Sequence, residues 1–154
     1  MGLDCSHNAW HGAYGAFMSW RKMVAKVAGL PPLELMEGFY EPLDSSAPTL
    51  YHGIRTNEPQ MSGRPYLGNI DERLPISWDV LKPSPLHELL CHSDCDGEIP
   101  AERCGAIADS LETLITLMPD EDVGGHIGNW RTKTQQFVTG LRAAKEANEP
   151  LWFG

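Results

Sequence analysis

Residues 4–14, DCSHNAWHGAY, place one acid, two histidines, a tryptophan and a tyrosine within eleven positions. His7 and His11 stand four apart and Asp4 three before His7. If a helix begins by residue 6, both imidazoles share one face. That spacing suits a divalent ion such as zinc or manganese, with Asp4 as a ligand or as the acceptor that fixes a tautomer. It suits equally the wall of a ligand pocket, with Trp10 and Tyr14 on the same turns. The plainest alternative is that Asp4 or Ser6 caps the helix and the histidines are merely neighbours.

A second polar cluster, CHSDCDGEI, spans residues 91–99. Asp94, Asp96, Gly97 and Ile99 copy the middle of a calcium-binding loop, and a helix follows as that motif requires. The ends depart from it: His92 occupies the place of the first aspartate and Arg103 that of the bidentate glutamate. As a zinc site the stretch offers Cys91, His92 and Cys95, but paired CxxC knuckles are missing. A turn whose carboxylates accept backbone N–H bonds ahead of a helix accounts for the same residues.

The third cluster, GGHIGNWR, residues 124–131, stands at the entrance to a helix. Its glycines would let backbone N–H groups face an anion, and Arg131 would add a planar fork of donors. His126 or Trp130 would stack on a flat ring, and Asn129 adds an amide. The glycine spacing matches neither a phosphate-binding P-loop nor a dinucleotide fingerprint. A flexible connection with Trp130 in the core is the simpler reading.

The elements that must position these clusters follow from hydrophobic period. Residues 1–5 read as an extended lead. The segment HGAYGAFMSWRKMVAKVAG reads as a first helix, apolar over a wide arc and closed by Gly29 before Pro31 and Pro32. Residues 40–75 are rich in Pro, Gly, Ser and Asn without a sustained period, which predicts a long irregular excursion, either a lid or pocket wall or a simply mobile loop. A short apolar piece near Trp78 and a helical turn through His87 to Leu90 come next. The strongest helical stripe is Cys104, Ile107, Ala108, Leu111, Leu114, Ile115 and Met118, between Pro100 and Pro119. Ile127, Trp130, Thr134, Phe137, Val138 and Leu141 form another, ended by Asn148 and Pro150, and LWFG reads as a closing strand. Three main helices with a few short strands predict a small α+β fold in a single globular domain over residues 1–154.

At 154 residues, 42% hydrophobic and 21% charged, the chain is long enough for one buried core and too ordinary in composition for wholesale disorder. Its net charge of −9 opposes phosphate backbones, and the 12 Lys and Arg form no stripe, so no polymeric nucleic acid is expected as a partner. No apolar run is long enough to cross a membrane, so no membrane partner is expected either, and the four cysteines read as free thiols.

Around MGLD-S-H-AWHGAY, HSDCDGEI and GGHIGNWR the chain resembles a family of short proteins from bacterial and phage genomes. The resemblance implies a cytoplasmic setting in a bacterial or infected cell and carries no functional residues with it. Because the clusters lie at helix ends far apart in the chain, the expectation is that they converge. His7, Trp10, His11, Tyr14, His92, Asp94, Asp96, His126, Asn129, Trp130 and Arg131 would then line one pocket for a small, polar, nucleotide-like molecule. In a phage setting such a binder would sequester a host signalling nucleotide. The second expectation is a hydrolase in which His7 and His11, with Asp94, Asp96 or His126, hold zinc or manganese to activate water. The third is an interaction module without a small-molecule site, its apolar first helix exposed to a partner or buried in a homo-oligomer.

Overall fold

The computed structural model describes residues 2–38 and 76–154. The expected excursion at 40–75 lies outside the described residues. Four two-residue strands and four α-helices make up the described chain, in an α+β arrangement as predicted. Strands β1 (Leu3–Asp4) and β2 (His11–Gly12) pair antiparallel, with Leu3 opposite Gly12 and Asp4 opposite His11. Strands β3 (Glu98–Ile99) and β4 (Leu151–Trp152) pair in the same sense, Ile99 opposite Leu151. A bridge between Cys5 and Phe153, flanked by reciprocal backbone bonds between Asp4 and Gly154, joins the two ribbons. The two ends of the chain thus meet in one narrow, four-stranded patch.

The first helix, α1, runs over Tyr14–Val27 and begins eight residues later than the histidine spacing suggested. Ser6–Asn8 form a 3-10 turn in which His7 (φ 54°) and Asn8 (φ 56°) are both left-handed, a conformation that ends any right-handed helix. The candidate caps are engaged elsewhere: Ser6 Oγ accepts from Trp152 N at 2.9 Å, and Asp4 pairs with His11. His7 and His11 therefore do not share a helical face.

Helix α2 (His87–Cys91) is a short turn. Helix α3 (Ala101–Leu114) opens after Pro100, continues into a 3-10 turn over Ile115–Leu117, and buries the predicted stripe except for Ile115, which is half-buried. Helix α4 (Trp130–Ala147) is the longest. Asn129 Oδ1 caps it by accepting from Arg131 N and Thr132 N, and Asn148 closes it in the left-handed conformation ahead of Pro150. Ile127, expected on its apolar face, lies before its first turn and is half-buried.

The core is aromatic. Trp10, Phe17, Trp20, Phe137 and Phe153 pack with ring centroids 4.6–6.1 Å apart. Offset and edge contacts of this kind add about 0.5–1.5 kcal/mol each to the burial itself. Trp20 Nε1 donates to Thr134 Oγ1 at 3.0 Å, which satisfies the one polar atom of a fully buried ring. Arg21 is also fully buried. It donates to the carbonyls of Leu89, Leu90 and His92, where α2 ends, and lies over the Phe17 ring. Desolvation lowers its pKa, with Asp94 opposing that effect.

Candidate functional site

Residues 7–13 form a strap lying antiparallel along α4, held at five points. His7 Nε2 meets Glu149 Oε2 at 3.2 Å just past the helix C-terminus. Gly140 allows Ala9 to approach the helix backbone. Gln136 Nε2 donates to Asn8 O at 2.9 Å, and Lys133 Nζ donates to His11 O at 3.3 Å. Ahead of the helix, Ala13 N donates to His126 Nδ1 at 2.5 Å. Lys133, Gln136 and Gly140, at i, i+3 and i+7, form the stripe on which the strap rests.

Beside the strap lies an open groove of about 520 Å³, lined by His7, Asn8, Ile115, Arg131, Thr132, Gln135, Gln136 and Thr139. Thr132, Gln135, Gln136 and Thr139 recur at i, i+3, i+4 and i+7, so α4 presents a row of uncharged hydroxyls and amides. His7 and Asn8 form the opposite lip in their left-handed conformation. A left-handed non-glycine residue costs roughly 1–2 kcal/mol, and such strain persists where surrounding contacts over-determine it. Here Glu149, Gln136 and the Ala9–Gly140 contact supply those restraints.

Arg131 closes one side of the groove. Its Nε donates to Met118 O at 2.9 Å and its Nη2 to Thr116 O at 3.3 Å. Among the described residues its guanidinium meets backbone carbonyls alone.

The structure brings the first and third sequence clusters together, and not in the way the spacing implied. His7 and Arg131 share the groove, while His126 sits against Gly12 and Ala13 and is not among the groove's lining residues. His11 turns its Nδ1 to the Asp4 carboxylate across β1 and β2, and both side chains stand in solvent. Trp10 and Trp130, both expected in the pocket lining, are core residues; Trp10 lies beneath Lys133, whose Nζ is 4.3 Å from the ring centroid. Desolvation there lowers the Lys133 pKa. Tyr14 is half-buried at the start of α1 and Asn129 is occupied as a helix cap. Two of the three glycine N–H groups expected to face an anion are engaged within the loop: Gly124 N donates to Asp122 Oδ1 and Gly128 N to Gly124 O.

The second cluster is separate from the groove. His92 stacks on Phe153 at 4.1 Å and bonds the carbonyls of Ser93 and Glu98. Asp96 accepts from Ser93 Oγ at 2.6 Å, and Asp94 lies near enough to Arg21 to act on its charge. Among the described residues no three His, Cys, Asp or Glu side chains stand together as a metal ion would require. His7, His11 and Asp94, the expected zinc or manganese ligands, are thus not assembled. All four cysteines are free thiols.

Asn8, Ile115, Thr132, Gln135, Gln136 and Thr139 were not anticipated as lining residues. The signal for them is the uncharged polar stripe on α4, in a chain where acids and bases cover most other helical surface. No described helix is long and apolar enough to cross a membrane. No protein-family model matches the chain, and neither the curated proteins nor the solved structures gave a match.

Proposed function

We propose that the protein binds a small, polar, nucleotide-like molecule in the groove between the strap and α4, and releases it chemically unchanged. The observation that carries this reading is the lining itself: three amides, two threonines, an imidazole and an arginine converge on about 520 Å³ of open space. Small-molecule sites typically enclose roughly 300–1,000 Å³ and combine apolar walls with a few directed polar groups. Asn8, Gln135 and Gln136 each carry both a donor and an acceptor, the complement of a heterocycle's edge. Ile115 and the aliphatic parts of the threonines and glutamines offer carbon to its faces. The lining residues include no carboxylate or thiol, and the one imidazole, His7, is held by Glu149. That composition favours capture over turnover, and sequestration of a nucleotide is the role it fits best.

The test begins with native mass spectrometry of the purified protein beside its denatured mass. A copurifying organic mass, retained in chelator and released intact on denaturation, is the expected result. Calorimetric titration with nucleosides, nucleotides and cyclic dinucleotides then ranks affinity, and Thr139→Trp, which fills the groove from an exposed helical position, should abolish binding. An empty chain that binds none of these probes, or a Thr139→Trp variant that binds as the parent does, would overturn the reading.

A further inference from the structure

We propose that the ligand of this groove is an anion and that its phosphate or carboxylate group docks on the outward edge of Arg131. The inference rests on the groove being the binding site and adds the charge and orientation of what enters it. Acids outnumber bases 21 to 12 in this chain, yet the eight residues lining the groove include no Asp or Glu. The one permanent charge among them is the Arg131 guanidinium. Glu149 reaches the lip at His7, so it is the Arg131 side of the groove that, in a protein of net charge −9, is a local exception to a field that otherwise repels anions.

Arg131 differs from four other described cations in what it meets. Arg142 is bound by Asp109 and Glu112, Arg103 by Glu88, Lys22 by Glu34 and Lys82 by Asp79. Arg131 has only the carbonyls of Met118 and Thr116, which orient the guanidinium without neutralising it. A guanidinium carries five N–H donors, so three remain after these two bonds. A planar, pre-oriented fork of that kind matches the paired oxygens of a phosphate or carboxylate and loses little side-chain freedom on binding. The N-terminal amides of α4 play no part, since Asn129 already accepts from Arg131 N and Thr132 N. With the oxyanion at Arg131, the amide row from Gln135 to Thr139 receives the neutral body of the ligand toward His7.

The experiment follows the Arg131 Nε–H resonance by NMR while the protein is titrated with inorganic phosphate, with acetate and with adenosine, guanosine, cytidine and uridine monophosphates. The four nucleosides are run in parallel by calorimetry. The expected result is a saturable shift of that resonance and a nucleotide affinity at least about tenfold above that of the matching nucleoside. A larger response to phosphate than to acetate assigns a phosphorylated ligand, and the reverse a carboxylate. Arg131→Gln should remove the advantage of the nucleotide. Because that change also cuts the ties to Met118 and Thr116, Thr132→Asp provides a second arm. It keeps the ties, adds a carboxylate beside the fork in the first turn of α4, where helix polarity favours it, and should likewise abolish the advantage. Nucleosides binding as tightly as nucleotides, or nucleotide binding unchanged in either variant, would overturn the anion proposal and leave the groove standing as a neutral site. Binding of none of these probes would remove the groove reading and this inference together.

Discussion

Gly140 of α4 and Ala9 of the strap are in direct contact: a methyl group added at position 140 would stand 2.4 Å from Ala9 Cβ and 2.6 Å from its Cα. The obstacle is backbone, held by Gln136 and His7 on either side, so it cannot swing away as a side-chain tip would. Gly140→Ala should therefore destabilise the protein by about 1–3 kcal/mol, overcoming the gain of about 1 kcal/mol that alanine brings to a helix interior. Gly15, in α1 with nothing within 4 Å of such a methyl, provides the contrast. Gly15→Ala should raise stability by about 0.5–1 kcal/mol. Urea unfolding of both variants checks the pair of opposite signs, and a stabilised Gly140→Ala would mean that the strap does not rest on α4.

Arg21 serves as a side-chain donor for the end of α2. Its guanidinium takes the carbonyls of Leu89, Leu90 and His92 from inside the core. Arg21→Leu would strand those acceptors in a dry environment and should cost about 3 kcal/mol. Arg21→Lys keeps a charge and loses the planar fork, so its stability should fall between the two. Equal unfolding midpoints for parent and Arg21→Leu would show that the end of α2 turns to water instead.

The stripes from Cys104 to Met118 and from Trp130 to Leu141 were legible because burial on one side of a helix writes a 3.6-residue period into the chain. The opening turn was not. His7, Trp10, His11 and Tyr14 show an i, i+3, i+4, i+7 pattern, yet these residues form a turn, a core anchor, a strand and a helix start. What decides their conformation lies more than a hundred residues away, in Gln136, Lys133 and Gly140, and no local period can report it. The candidate site was half legible for the same reason. His7 and Arg131 stood out by type, whereas Gln135, Gln136 and Thr139 matter only because the strap lies beside them.

His126 and Gly12 test whether the strap also holds the loop ahead of α4. A methyl at Gly12, whose φ is 151°, would stand 2.7 Å from His126 Cβ and displace the imidazole from Ala13 N. Gly12→Ala should cost about 1–3 kcal/mol. His126→Ala alone should cost about 1 kcal/mol, the typical worth of one hydrogen bond. If the two residues act through this contact, the double variant should lose less than the sum of the singles, by at least about 0.5 kcal/mol. Additive losses would separate the loop from the strap.

The cysteines should divide by environment. Cys5 is buried beside Asp4, and desolvation followed by that charge pushes its thiol up to about 12 from an ordinary 9.0. In the unfolded chain the same thiol ionises near its ordinary value, so between about pH 9 and pH 12 the unfolded state has released a proton that the folded state retains. Stability contributed by this group is present in full below that window and falls as pH rises through it, by up to about 1.4 kcal/mol per pH unit. Cys5→Ala removes this term, so its unfolding free energy should fall less steeply with pH than that of the parent. Alkylation reads the same difference chemically. At mildly alkaline pH, Cys95, exposed on the turn before β3, should be modified first, while buried Cys5 and Cys104 react only as the chain unfolds. Modification of Cys5 at the rate of Cys95 in the folded protein would mean that the joined ends of the chain open readily, and with them the strap that forms one lip of the groove.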